Sequence, residues 1–133
     1  MIEIQGIPSD SFPEVAHLVR PFFDAFAKDG AQSADYFESQ ILDRKMQLWL
    51  AVDHGAIKCA CLTEIGTDDL KTCHVSYCTG ADHKDWVPLI DQICLWAKQE
   101  GCARVRATAR PGYERTLSQH SFRKTHVVLD RVL

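Results

Sequence analysis

A hairpin pattern in the middle of the chain constrains the fold more than any other feature. Apolar residues alternate with other side chains from residue 48 to 53, and the alternation resumes from 57 to 63. His54-Gly55 separates the two runs, with glycine where a two-residue turn needs a positive φ. A second turn at 66–69 leads to a third run at 71–78. Because both turns are short, the three strands are predicted to be antiparallel.

The periodicity then changes from strand to helix. Asp85 can cap a helix that has Pro88 in its first turn, and Gly101 can end it. The apolar positions of this segment fall at helical spacing: Trp86, Leu89, Ile90, Ile93 and Ala97. Residues 103–109 are predicted to form a strand, so residues 71–109 form a β-α-β unit with parallel strands.

Two helices are predicted before the hairpin, after a short strand at residues 1–6. Residues 11–14 (Ser-Phe-Pro-Glu) form a capping box that starts the first helix. Its apolar stripe is Val15, Leu18, Val19, Phe22 and Phe26. Pro21 is expected to kink or split it, because proline removes a backbone donor. Ser33 is expected to cap a second helix running to about Lys45.

After the β-α-β unit, a short helix is predicted at about 112–120 and a last strand at 123–132. The 133 residues suffice for one compact core, so residues 1–133 are predicted to form a single domain. The six cysteines are expected to be reduced core residues. Their spacing lacks the paired pattern of a zinc site, so no metal is expected.

The charge is unevenly distributed along the chain. Residues 1–97 hold 7 Lys and Arg against 15 Asp and Glu, whereas residues 98–133 hold 8 against 3. The acidic part argues against bulk nucleic-acid binding, which needs a broad basic surface. No apolar run approaches the length needed to cross a bilayer, and the N-terminus lacks signal-peptide features. A cytoplasmic protein is therefore expected.

The predicted order, β-α-α-β-β-β-α-β-α-β, resembles the GNAT-type N-acetyltransferase superfamily over essentially the whole chain. Residues 47–65 look like the central hairpin of that family, and residues 89–102 resemble its long helix with a glycine-containing exit. The tail, from Arg110-Pro111-Gly112 to residue 129, resembles small GNAT-like proteins of bacteriophages and prophages. The resemblance implies an α/β domain with a mixed sheet, in which the final strand of the family has no counterpart.

The resemblance also implies acetyl-CoA as cofactor, in a cleft where the fourth and fifth strands splay apart. Strands of an α/β sheet commonly bind ligands at their carboxyl ends, which agrees with that place. The residues expected beside the cofactor are Val75, Tyr77, Thr79, Gly80 and Lys84.

Two departures from the family pattern concern this cleft. The glycine positions of the pyrophosphate loop near the helix start carry Asp85 and Val87, and Asp82 adds a second carboxylate. A tyrosine is the usual general acid of the family, but Leu117 occupies that position. Tyr113, one helical turn earlier, is the substitute candidate. Together with Tyr113, the candidates for a catalytic role are the two possible general bases on central strands, Glu64 and His74. Each of the last two is equally explained as a polar residue on the solvated face of a sheet.

A row of cations ends at the same cleft. Arg104, Arg106 and Arg110 alternate with small apolar residues and therefore share one face of a strand. This row is a candidate site for an anion or substrate, with Arg110 at the carboxyl end of the strand. A solvated face, or ion pairs with acidic neighbours, explains the row equally well.

The sequence leaves two functions open. One is a divergent acetyl-CoA-dependent N-acetyltransferase with a small-molecule or protein amine as acceptor. The other is a non-catalytic interaction or virion-associated protein of a phage or prophage, located in the host cytoplasm or the virion. Three aromatic residues off the main apolar faces are candidates for its protein interface: Phe23, Trp49 and Trp96.

Overall fold

The computed structural model describes residues 2–29, 32–67, 69–80, 82–109 and 111–133, with Asp29, Gly80, His83, Lys84 and Pro111 described by their backbone alone. These residues form five strands and four α-helices. They are β1 (Ile2–Ile7), α1 (Phe12–Asp29), α2 (Ala34–Leu42), β2 (Gln47–Asp53), β3 (Ala56–Thr67), β4 (Lys71–Gly80), α3 (His83–Gln99), β5 (Arg104–Ala107) and α4 (Glu114–Gln119).

The five strands form one mixed sheet in the order β1-β2-β3-β4-β5. Neighbours from β1 to β4 are antiparallel, and β4 pairs with β5 in parallel. The predicted hairpin turn is confirmed, since His54 and Gly55 have φ values of 51° and 78°. Two positive φ angles in a two-residue loop match the right-handed twist of the flanking strands. The parallel β-α-β unit is confirmed as well.

Helices cover both faces of the sheet. On one face α1 and α2 pack against side chains such as Leu48 and Leu62. On the other face α3 packs against Cys61, Cys73 and their neighbours. Because both faces are covered, the central strands β2 and β3 carry consecutive buried residues instead of a simple alternation of buried and exposed ones.

The apolar face of α1 differs from the predicted stripe. Phe23, which was expected off the stripe, is completely buried, whereas Leu18 is 52% exposed. The ring of Phe23 lies 6.1 Å from that of Phe12 and 5.9 Å from that of Phe37. The helix also continues through Pro21 without a break. Pro21 lies on the exposed side, where water can satisfy the backbone carbonyl that loses its donor.

The two tryptophans expected at a protein interface lie inward. Trp49 is only 6% exposed, and its indole N–H donates a 3.0 Å hydrogen bond to Thr63 Oγ1. Trp96 on α3 is half-buried, with its ring centroid 5.1 Å from that of Trp49. The expectation that Phe23 and Trp49 are exposed was wrong, because Phe23 packs against Phe37 of α2 and α3 covers the sheet face that carries Trp49.

The helix ends largely follow the capping signals. Ser33 caps α2, accepting a hydrogen bond from the backbone N–H of Tyr36 at 3.2 Å. The helix ends at Leu42, earlier than predicted, and Arg44 takes a left-handed φ of 61°. Helix α3 starts at His83, two residues before the predicted cap. Gly101, with a φ of 82°, follows its last turn as predicted.

The strand predicted at 123–132 is absent, since residues 122–133 form no strand. Its apolar side chains are strongly exposed, with Leu129 at 87% and Val132 at 96%. A strand needs a partner for its backbone groups. Here a cavity of about 360 Å³ lies between the β5 end of the sheet and residues 123–128, so the segment runs near the sheet without pairing with β5.

Removing residues 126–133 is expected to change the free energy of unfolding by less than about 1 kcal/mol, because the segment buries little surface. Chemical denaturation of the full and shortened chains measures the difference. Replacing the half-buried Phe122 by alanine serves as comparison and should cost more, because this side chain packs against the α3 layer. A loss above about 2 kcal/mol on truncation would show that the segment pairs with the sheet in solution.

No helix in the described part of the chain is long and apolar enough to span a membrane.

Candidate functional site

Strands β4 and β5 part from each other after a short paired stretch. Their parallel pairing runs from Thr72 opposite Arg104 to Val75 opposite Ala107. Strand β5 ends there, whereas β4 continues along β3 to Gly80. The V-shaped opening between the two strands, predicted from the resemblance, is therefore present. We call the opening beyond the pair Val75–Ala107 the slot.

A cavity of about 310 Å³ fills the slot. This volume is at the lower end of the range of about 300–1,000 Å³ that is usual for ligand pockets. Its lining combines β4, the residues after β5, and parts of α1, α3 and α4: Ala25, Phe26, Val75, Ser76, Tyr77, Cys78, Thr79, Trp86, Ile90, Ala107, Thr108, Ala109, Tyr113 and Leu117. The walls are mostly apolar, and the polar groups come mainly from β4.

A β-bulge at Ser76 shapes the wall of the slot. Thr63 on β3 lies opposite Val75, and the next residue back, Leu62, lies opposite Tyr77, so Ser76 is the extra residue on β4. The bulge changes which face the following side chains take. Val75 packs on the α3 side, whereas Tyr77 packs on the α1-α2 side.

The ring of Tyr77 and the backbone of β4 thus contribute to the slot in different ways. The ring of Tyr77 is held in the α1-α2 core, 4.7 Å from the ring of Phe37 and 5.4 Å from that of Phe26. Beyond Val75, no strand in the described ranges pairs with β4 on the side that faces the slot. Backbone N–H and C=O groups on that side can therefore bind a ligand that carries amides.

Three charged or titratable side chains lie side by side across the sheet next to the slot. Glu64 is opposite His74, which is in turn opposite Arg106. Residues opposite each other share one face of the sheet, so these three, the polar row, lie on the α1-α2 face. Ser76, the bulge residue, donates a 3.2 Å hydrogen bond from Oγ to Glu64 Oε1. Glu64 is thus linked to the slot through Ser76, which lines it, whereas neither base candidate, Glu64 or His74, is itself among the lining residues.

The predicted arginine row divides into residues with different surroundings. Arg104 is already paired: Nε donates to Thr72 Oγ1 at 2.8 Å, and an Nη contacts Asp69 Oδ1 at 2.8 Å. The pKa of the Asp69 carboxyl is lowered, first by a hydrogen bond from the backbone N–H of Asp69 and then by the Arg104 guanidinium. Arg106 belongs to the polar row. Arg110 lies outside the described residues.

Tyr113 and Leu117 form the wall opposite β4. The Tyr113 ring lies 5.6 Å from that of Trp86 at an interplanar angle of 69°, and the residue is 40% exposed. Leu117 is half-buried and lines the same cavity. The substitute acid candidate, Tyr113, therefore does reach the slot.

The start of α3 lies beyond Gly80, where the family binds a pyrophosphate. Asp85 stands in the first turn, and its backbone N–H donates to the Asp82 carbonyl at 2.9 Å. A carboxylate here is favourable for the helix itself, but it repels a bound phosphate. Only the backbone of Lys84 is described, so the contribution of its ammonium group stays a prediction.

A group of cysteines at the slot was not predicted from the sequence. Cys78 lines the cavity, lies opposite Cys61, and has its Sγ 3.7 Å from Cys59 Sγ. Cys59 and Cys61 share one face because they lie two residues apart on β3, but only the bulge at Ser76 brings Cys78 to that face. In the described ranges, no three His, Cys, Asp or Glu side chains are close enough together to hold a metal ion.

Comparison with known proteins gives matches at the level of structure. No protein-family model matches the sequence, and no curated protein matches it significantly. A solved probable acetyltransferase superposes with a TM-score of 0.78 at 13% identity, covering 98% of this chain and 96% of its own. A predicted acetyltransferase from Clostridium acetobutylicum, solved with acetyl-CoA, gives 0.73 at 10% identity and covers 99% and 96%.

A ribosomal-protein-alanine N-acetyltransferase from Brucella melitensis biovar Abortus 2308 gives a TM-score of 0.72 at 15% identity, covering 98% of this chain and 99% of its own. Identities this low bear on the fold alone. With the mixed five-stranded sheet and the splayed β4 and β5, they show that this chain has the GNAT acetyltransferase fold.

Proposed function

We propose that the protein is a divergent acyl-CoA-dependent N-acyltransferase that binds acetyl-CoA in the slot. The observation that carries the proposal is the β4 edge beyond Val75, which pairs with no strand of the described residues on the side that faces the slot. One solved structure with the same fold contains acetyl-CoA, which supports the choice of ligand.

The slot fits the narrow, amide-bearing arm of the coenzyme better than its phosphates. Backbone groups of Val75, Tyr77 and Thr79 would hold the arm, as an added strand would be held. The apolar walls, which include Trp86 and Ile90, exclude water from it. At the phosphate end Asp85 opposes the ligand, so the affinity should be modest.

Bound acetyl-CoA supplies an activated thioester to an amine acceptor. An alkylamine is protonated at neutral pH and must lose a proton before it can act as a nucleophile. The Glu64 carboxylate attracts such a cation, and Glu64 or His74 accepts its proton. Ser76 orients the Glu64 carboxylate through the 3.2 Å hydrogen bond. Tyr113, on the opposite wall, is the group that can protonate a leaving thiolate.

Isothermal titration with acetyl-CoA tests the proposal. We expect saturable binding with a dissociation constant in the micromolar to millimolar range, and tighter binding in the Asp85→Asn variant because one repelling charge is removed. Release of free coenzyme A in the presence of a panel of amines then measures transfer. Absence of heat at millimolar acetyl-CoA, in both proteins, would contradict the proposal.

A non-catalytic interaction protein, such as a phage-encoded one, is the second candidate. Five exposed apolar residues near the C-terminus favour it: Val127, Val128, Leu129, Val132 and Leu133. Light scattering after size-exclusion chromatography compares the full chain with one that lacks residues 126–133. A monomer in both cases, together with acetyl-CoA binding, would reject this candidate.

A further inference from the structure

We propose that Cys78 and Cys59 form a two-thiol oxidation site in the slot, at which a peroxide oxidises Cys78 and Cys59 converts the product into a disulfide between β4 and β3.

The first observation is the position of the two sulfur atoms. Cys78 Sγ lies 3.7 Å from Cys59 Sγ. Cys78 is exposed and lines the slot, where a small oxidant can reach it, whereas Cys59 is completely buried. An accessible thiol beside a buried one separates the two roles, since Cys78 meets the oxidant and a buried thiol next to it can resolve the product.

The second observation is the set of groups around Cys78. Hydrogen bonds from the thiols of Cys59 and then Cys61 hold the pKa of the Cys78 thiol well below its usual range. The hydrogen bond to Cys78 and burial raise the pKa of Cys59, so its thiol stays protonated. Because the thiolate is the reactive form, Cys78 is the nucleophile of the pair.

The chemistry needs only a peroxide as co-reactant. The Cys78 thiolate attacks one peroxide oxygen, the O–O bond breaks, an S–O bond forms and hydroxide leaves. Cys78 is thereby oxidised by two electrons to the sulfenic acid, and the peroxide is reduced. The Cys59 sulfur then attacks the Cys78 sulfur, the S–S bond forms and the S–O bond breaks. The departing hydroxide takes the Cys59 proton and leaves as water.

The sheet allows the required approach of the two sulfur atoms. They must move from 3.7 Å to about 2.05 Å, the length of a disulfide bond. Cys59 lies opposite Gly80, so it is diagonal to Cys78 and the strands have to adjust slightly. Strand β4 can adjust here because, beyond Val75, no strand in the described part of the chain pairs with it on the slot side.

The test uses the reduced full chain with one equivalent of hydrogen peroxide. Remaining thiols are blocked, and mass spectrometry of a digest without reduction identifies the linked peptides. We expect loss of two of the six thiols and a peptide pair joined by Cys59 and Cys78. Alkylation of the reduced chain should be on the order of tenfold faster at Cys78 than at Cys94, whose pKa is raised by burial.

Three variants separate this pairing from other outcomes. Cys59→Ala should give no crosslink, and its Cys78 sulfenic acid should accumulate and be trapped by dimedone. Cys61→Ala should still give the Cys59–Cys78 crosslink. Cys78→Ser should lose no thiols at this dose. The proposal would be overturned by a wild-type digest without that crosslink, by a Cys61–Cys78 crosslink in its place, or by Cys78 alkylation no faster than that of Cys94. These readouts need no bound coenzyme.

Discussion

Replacing Phe37 by alanine is expected to lower the free energy of unfolding by about 3–5 kcal/mol. Phe37 is completely buried at the centre of the α1-α2 layer. Its ring contacts those of Phe23, Phe26 and Tyr77 at centroid distances of 5.9, 5.8 and 4.7 Å. Alanine removes these contacts and leaves a cavity. Since small domains are stable by only about 5–15 kcal/mol, the variant should be close to unfolding.

Urea denaturation followed by circular dichroism measures the loss. Leu42→Ala is the matched control, because it shortens an apolar side chain at the end of the same helix where the residue is 51% exposed. This control should cost less than about 1 kcal/mol. Equal losses in the two variants would show that Phe37 is not the anchor of α2 on the sheet. Phe37→Ala should also loosen the wall of the slot, because Tyr77 packs on Phe37.

The sequence predicted the elements that depend on local signals. The His54-Gly55 turn, the Ser33 cap and the glycine at 101 each act through the backbone of a few residues, and each is found where it was predicted. Residues whose environment depends on distant parts of the chain were harder. Phe23 and Trp49 could be placed only once their neighbours in space were known, α2 for Phe23 and α3 for Trp49. The strand predicted at 123–132 found no partner in the sheet.

The slot itself was predicted from the family resemblance, in agreement with the predicted parallel pairing of β4 and β5, but the side chains that line it were not all identified. One extra residue on β4, Ser76, determines which face each later residue takes. Without the bulge, Cys78 would lie on the face opposite to Cys61. Nothing in the residues around 76 signals a bulge, so the thiol pair was not predictable. The pairing of Glu64 with His74 likewise depends on the register between β3 and β4.

A bulky residue inside the slot is expected to abolish acetyl-CoA binding while the fold is kept. Ala109 lies just past β5, is exposed and lines the cavity. In Ala109→Trp the indole would occupy space needed by the coenzyme arm. Because Ala109 is not part of the packed core, the free energy of unfolding should change little. We expect the affinity to fall by tenfold or more, about 1.4 kcal/mol or greater, in isothermal titration.

The matched control is Ala103→Trp, at the other end of β5. Ala103 is also exposed and precedes the strand, away from the slot, so the same substitution there adds the same bulk without touching the cavity. Its affinity for acetyl-CoA should equal that of the unmodified protein. If tryptophan at 109 leaves the affinity unchanged, Thr108→Trp fills the slot from the other face of the chain. Unchanged affinity in both would mean that the coenzyme binds elsewhere, and the assignment of the β4 edge as its binding site would be wrong.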